Sequence, residues 1–306
     1  MKKNLKITAI LLMMFLVTQF IGLYVVNHYS SIKVVDGKQT NVSSPDLPLG
    51  LEPPAITSEK DYTNFFYSIL FAFVLAVSLF FLLRKFNVGF VIKLWFFIVV
   101  VIALTVSISS FFPEFNYKIF LILIFALFLT YLKIYKRNII IHNSTELLIY
   151  PGIAAVFVPI INLFWIIVIL ILISIYDMWA VWHSGIMQKM AKYQINTLNL
   201  FPGFFIPYVS KRTKERLMKL SKSKLKNKKV KANVAILGGG DIVFPIITAG
   251  VMLKTLGLIP ALFVIFGAAL GLTYLFFFAE KKKFYPAMPF ITAGIFLAMI
   301  LSWIIL

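Results

Sequence analysis

Leu237-Gly238-Gly239-Gly240-Asp241 lies inside an apolar run over residues 233–256, and a carboxylate at that depth needs an explanation. On insertion scales an aspartate at the centre of a lipid-spanning helix costs roughly 2.5 to 3.5 kcal/mol. One other acid reads as comparably deep, Asp177 in Ile171-Leu172-Ile173-Ser174-Ile175-Tyr176-Asp177-Met178-Trp179-Ala180-Val181-Trp182. Two aspartates on successive apolar runs are the candidate functional pair.

The surrounding composition is that of a chain built for lipid. Of 306 residues, 61% are hydrophobic and only 13% charged, against about 25% charged in soluble domains. The mean hydropathy is +0.94. Apolar runs of about 20 residues recur, the length that crosses a hydrocarbon layer of ~30 Å. Cysteine is absent, which excludes disulfides, thiolate metal sites and cysteine nucleophiles. The three histidines, His28, His142 and His183, are far apart and form no H-E-x-x-H motif. No metal or other cofactor is expected. The net charge of +19 would suit a nucleic-acid partner, but the charges fall in alternate loops and carry no aromatic-basic motif, so membrane topology accounts for them and no nucleic acid is expected.

Nine spans are expected, at about residues 7–26, 64–83, 90–112, 117–132, 145–159, 162–182, 233–256, 259–278 and 286–306. The first follows Lys2, Lys3 and Lys6 and lacks a small-residue cleavage site, so it reads as a retained span rather than a signal peptide. The fifth is short and holds Pro151 and Gly152, which suggests a tilted or broken element. Residues 27–63 are polar and carry five acids against three lysines, as an outside loop would. The N-terminus, Arg84 and Lys85, residues 133–137, residues 183–232 and Lys281 to Lys283 are basic and fall on one side if nine spans are counted. The positive-inside rule then puts the N-terminus in the cytoplasm and the C-terminus outside. Three parts are expected: spans one to six over 1–182, a basic cytoplasmic loop over 183–232 holding thirteen Lys/Arg and one acid, and spans seven to nine over 233–306. Within the loop, the Pro- and Gly-broken apolar stretch 201–207 reads as an interfacial segment, and the basic charge as a contact for anionic lipid.

Asp177 lies about five residues before the cytoplasmic end of span six and Asp241 about eight after the start of span seven. At 1.5 Å per residue their depths are roughly 8 and 12 Å, a difference within the error of the boundaries. Neighbouring helices pack about 8 to 10 Å apart, which brings inward-facing aspartates within reach of one shared water. Carboxylates that close titrate as a unit and share a proton, the arrangement of general acid/base chemistry on water. Gly238, Gly239 and Gly240 are costly inside a helix but permit close backbone approach, of a packed helix or of a substrate. Pro286-Ala287-Met288-Pro289 opens the ninth span at the same surface and leaves backbone groups free there for a partner such as an extended peptide.

With these residues in view, the chain resembles the presenilin and signal peptide peptidase family of intramembrane aspartyl proteases. That family carries Tyr-Asp in its sixth span, Gly-x-Gly-Asp in its seventh and Pro-Ala-Leu at the start of its ninth. Here these read Tyr176-Asp177, Gly238-Gly239-Gly240-Asp241 and Pro286-Ala287-Met288, with methionine replacing leucine. The match covers spans six to nine, whereas spans one to five agree by number alone. The resemblance implies an all-α fold of nine transmembrane helices, Asp177 and Asp241 as the catalytic pair, and Tyr176, the three glycines and Pro286 to Met288 as active-site and substrate-positioning elements. It also implies transmembrane peptide substrates, and the N-inside orientation is that of a presenilin-like, archaeal-type homologue. The competing class is an ion or proton pathway, because membrane aspartates also mark such routes. Two-half symmetry or polar groups spread along several spans would favour it, and neither is evident. Self-association and accessory subunits are not specified by the sequence.

Overall fold

A computed structural model describes residues 5–35, 38–52, 56, 58–83, 89–136, 138–183, 200–208, 233–278 and 285–305. Most of the basic loop, Arg84, Lys85 and Lys281 to Lys283 lie outside the described residues. In chain order the elements are α1 (Leu5–Tyr29), β1 (Ile32–Val35), β2 (Lys38–Asn41), α2 (Glu59–Leu83), α3 (Gly89–Ser109), α4 (Lys118–Tyr135), α5 (Ile139–Phe157), α6 (Leu163–Trp182), β3 (Gly203–Tyr208), β4 (Asn233–Gly238), α7 (Gly240–Leu256), α8 (Leu258–Phe278) and α9 (Met288–Ile305). Among the described residues, seven helices are long and apolar enough to cross a membrane: α1, α3, α4, α5 with its 3-10 extension, α6, α8 and α9. Of the other two, α7 has only 17 residues.

The largest core joins α1, α5, α6, α7, α8 and α9 around fully buried Phe15, Ile166, Leu170, Ile242, Ile246, Ile265 and Ile291. A second cluster joins α3, α4 and α5 around Leu104, Ile122, Ala126 and Ile149. In lipid, apolar area alone gives helices no reason to associate, so close packing of small residues decides where they touch. On α8 and α9, methyl groups placed on Gly267, Gly271 or Gly294 would run into the backbone of the opposing helix. Helix α2 reaches the main core through Phe66, whose ring stacks on Trp165 of α6 with centroids 4.1 Å apart.

Three expectations are corrected. The run 233–256 is not one helix: residues 233–238 are β4, paired antiparallel with β3 in the register Gly203↔Gly238 to Tyr208↔Asn233. Three consecutive glycines, each about 1 kcal/mol worse than alanine in a helix, stop α7 from extending backwards, and pairing with β3 satisfies the strand's backbone instead. The stretch 201–207 is therefore mostly β3 rather than a lone interfacial segment, and the fold is predominantly rather than wholly helical, with β1 and β2 forming another hairpin. Secondly, the fifth element is longer than 145–159 and unbroken by Pro151, running from Ile139 to Phe157 before a 3-10 turn at Val158–Ile160. Its start is set by Asn138, whose side chain accepts from the Ile140 and Ile141 amides at 2.9 and 3.4 Å. Thirdly, Lys133 does not sit in a solvated loop but is buried in α4.

Candidate active site

Asp177 lies on the inner face of α6 with Ser174 and Val181, and is 5% exposed. Its Oδ2 accepts a hydrogen bond from the Met288 amide at 3.0 Å, and the Ala287 amide adds a second backbone interaction. Met288 is the first residue of α9, where amides have no partner inside the helix and the dipole favours negative charge. About one turn deeper on both helices, the Ser174 and Thr292 hydroxyls hydrogen-bond at 2.8 Å. The Pro286-Ala287-Met288 element thus binds the Asp177 carboxylate with its backbone, which leaves the Met288 side chain, 3% exposed, free to pack in the core.

Asp241 is reached differently. It is the second residue of α7, in the first turn of its own helix, and is 9% exposed. The Gly238 backbone interacts with its carboxylate, and the Asp177 charge acts on it across the helix interface. The turn is held from below by the Gly239 amide, which donates to the Pro202 carbonyl at 3.3 Å. The three glycines are not equivalent. A methyl group on Gly238 would lie 3.2 Å from Asp241 Oδ2, and one on Gly239 only 2.8 Å from the Tyr150 hydroxyl. On Gly240, which is exposed, it would meet nothing nearer than a Phe244 ring carbon at 3.9 Å. Tyr176 is half-buried beside Asp177, its ring 6.4 Å from that of Trp179.

Three supports of this site were not singled out in the sequence. Gln19 of α1, fully buried, donates through Nε2 to the Ile242 carbonyl at 3.1 Å, one residue beyond Asp241. A lone amide in an apolar run was the available signal. Glu146, 1% exposed, joins Asp177 and Asp241 as a third deeply buried acid. It pairs with Lys133 at 2.5 Å, and Lys133 Nζ lies 3.4 Å from His142 Nδ1. A pair this deep is worth little net but is costly to break. The third support is α5's grip on β3: His142 Nε2 donates to the Gly203 carbonyl at 2.9 Å, and the Asn143 side chain both donates to and accepts from the Phe205 backbone, at 3.0 and 3.2 Å. That occupies the β3 edge facing away from β4. Among the described residues no three His, Cys, Asp or Glu side chains come together as a metal site would need.

A multi-pass helical membrane protein with two aspartates inside its bundle, one met by the amides at the start of α9 and the other by the backbone at the end of β4, is the class that fold and site define. The sequence profile described as "Signal-peptide peptidase, presenilin aspartyl protease" matches residues 47–305. The chain belongs to this family of intramembrane aspartyl proteases. Among solved structures it is similar to a presenilin family intramembrane aspartate protease in a C222 crystal form, with a TM-score of 0.58, 18% identity and 98% of this chain and 99% of that one covered. A P2 crystal form described in the same words gives a TM-score of 0.59, 18% identity and 97% coverage of both chains. At that identity the likeness is one of fold. No curated protein matches the sequence.

Proposed function

We propose that this protein is an intramembrane aspartyl endopeptidase in which Asp177 and Asp241 act as one catalytic pair on transmembrane peptide substrates. The observation that carries the reading is the convergence of two distant elements. The start of α9 binds the Asp177 carboxylate, and that charge in turn acts on Asp241. In this reading the ionised aspartate takes a proton from water while the resulting hydroxide attacks the scissile carbonyl carbon. The protonated aspartate gives its proton to the carbonyl oxygen, forming a neutral gem-diol. Proton transfer to the amide nitrogen, breakage of the C–N bond and return of a diol proton to the pair release an acid and an amine and restore the enzyme.

A helical substrate hides its peptide bonds and must become extended locally. The edge of β4 turned away from β3 supports this step: among the described residues β4 is one edge of a two-stranded sheet, and it leads through Gly239 and Gly240 directly to Asp241. An extended segment added there would reach the carboxylates by backbone pairing. Exposed Gly240 and the Pro286 to Met288 backbone are the further positioning elements, with Tyr176 at the rim. In this reading the nine helices α1 to α9 are nine crossings, with the N-terminus in the cytoplasm and the C-terminus outside, as the positive-inside rule applied to the sequence supports. The parts 1–182 and 233–306 then each carry one aspartate of the pair, with the basic segment 183–232 between them in the chain.

The test is mass spectrometry of a single-span substrate incubated with the purified protein in detergent. Cuts inside the substrate's apolar span are expected. If several such substrates stay intact while reconstituted protein passes protons or ions, the protease reading fails and a conducting pathway replaces it.

A further inference from the structure

Tyr150 is a titratable side chain in the bundle that the chemistry above leaves unused. It lies on α5 one turn from Glu146 and two from His142, so the three share a face of the helix. It is 4% exposed, and its ring meets Phe204 of β3 edge-on at 6.2 Å. A methyl group on Gly239 would stand 2.8 Å from its hydroxyl and 2.9 Å from a ring carbon, so the phenol abuts the turn that delivers Asp241. No hydrogen bond of ordinary geometry reaches that hydroxyl. Burying such a group without a well-formed hydrogen bond is unfavourable, which makes this hydroxyl beside an active site a feature to account for. Glu146 acts on it as a charge and as a nearby acceptor outside that geometry, and Asp241 acts on it as a charge. Glu146 is fixed in turn by Lys133 on α4.

We propose that Tyr150 is a positioning residue for Asp241. Its hydroxyl, held near the Glu146 of the Lys133–Glu146 pair, forms a well-aligned hydrogen bond with the Asp241 turn when the catalytic pair engages substrate, and so orients the carboxyl and sets the pH at which the pair works. This rests on Asp241 belonging to the catalytic pair. Around Asp241, α6 contributes Asp177, α5 contributes Tyr150 with Glu146 behind it, and α1 contributes the non-titrating Gln19. No residue of α9 is titratable. Tyr274 of α8 is exposed and stacks on Phe278, while Tyr285 packs at the core edge ahead of α9. Among the described residues, Tyr150 is therefore the group beside Asp241, other than Asp177, through which protonation can be tuned.

The test is Tyr150→Phe, which removes one oxygen and keeps the ring, assayed on a single-span substrate across pH beside wild type. The expected result is a kcat about tenfold lower with KM within about twofold, a pH–kcat profile displaced along the pH axis, and an unchanged thermal midpoint. A kcat and profile that superimpose on wild type overturn the proposal. A change confined to KM overturns it in favour of a substrate contact, and a lowered midpoint with an unmoved profile in favour of packing. The paired variant Lys133→Met with Glu146→Gln removes the backing charge without leaving a buried ion alone. It should displace the profile in the same way, and adding Tyr150→Phe to it should produce little more; additive displacements contradict the coupling. Inactivity of wild type itself would sink the protease reading, a result distinct from all of these.

Discussion

Asp177 sits five residues from the end of a regular 20-residue helix, whereas Asp241 is the second residue of a helix that starts at the last of three glycines, one residue after a strand. The first needs nothing unusual from its own segment, because α6 is continuous and its partner, the Met288 amide, arrives from 111 residues away. The second depends on its immediate neighbours. Gly238, Gly239 and the β3–β4 pairing set the turn, and α5 holds the sheet through His142 and Asn143. What the two share is a backbone partner just at a helix start, where negative charge is least costly inside a membrane protein: Met288, the first residue of α9, for Asp177, and Gly238, the last residue of β4 ahead of α7, for Asp241. The difference says which substitutions should matter at each end.

The largest difference should come from Gly239→Ala. Its methyl group would press on the Tyr150 hydroxyl and ring at 2.8 and 2.9 Å, displacing the turn, and a shift of about 1 Å at a catalytic group costs on the order of 10²-fold in rate. A thermal midpoint lowered along with kcat is expected. Activity like that of wild type would show that the turn yields, and would dissolve the contrast with α6. Next, Met288→Pro removes the donor to Asp177 at the first residue of α9, a position that accepts proline. Loss of a hydrogen bond to a charged group, roughly 1.5 to 3 kcal/mol, corresponds to about ten- to a hundredfold in kcat, while Met288→Leu should stay within about twofold. Equal losses in both would mean that the buried side chain and not the amide holds the site.

Gly240→Ala has room, its methyl group 3.9 Å from Phe244. Stability should hold or rise slightly, since alanine is the better helix former. A KM raised several-fold at unchanged midpoint would place substrate backbone against this residue; unchanged kinetics would remove Gly240 from the positioning set. The smallest effect belongs to Ser174→Ala, which deletes the bond to Thr292. About 1 kcal/mol of stability and less than twofold in kcat are expected, because the Asp177 to Met288 contact remains. A large loss of activity would show that the α6–α9 hydroxyl pair, not the amide, sets the geometry.

The same comparison accounts for what hydropathy and spacing revealed. The sixth run, expected at 162–182, is α6 at Leu163–Trp182, and the eighth, expected at 259–278, is α8 at Leu258–Phe278. A continuous helix writes its own boundaries in apolar length and caps, as Asn162 does by accepting from the Trp165 amide. The Asp241 half was less legible. Asn233-Val-Ala-Ile-Leu-Gly238 is as apolar as a span, and only pairing with residues 25 to 35 positions earlier in the chain, Gly203↔Gly238 and onward to Tyr208↔Asn233, makes it a strand. Lys133 and His142 fell between expected spans and Glu146 only just inside one, because each charge counts against burial by itself, whereas together they neutralise one another inside the bundle. Tyr150 was hidden beside Pro151, a residue that drew attention to a helix break the structure does not contain.

The most direct measurement of the central claim sets Asp177→Asn and Asp241→Asn beside wild type in one cleavage assay, with the thermal midpoint of each variant recorded. If the two carboxylates form one catalytic pair, each substitution lowers cleavage by on the order of 10²- to 10⁴-fold, the double variant is scarcely worse than either, and all three remain folded. Cleavage that persists at near wild-type rate in either folded single variant would contradict the pair and return one aspartate to a structural role.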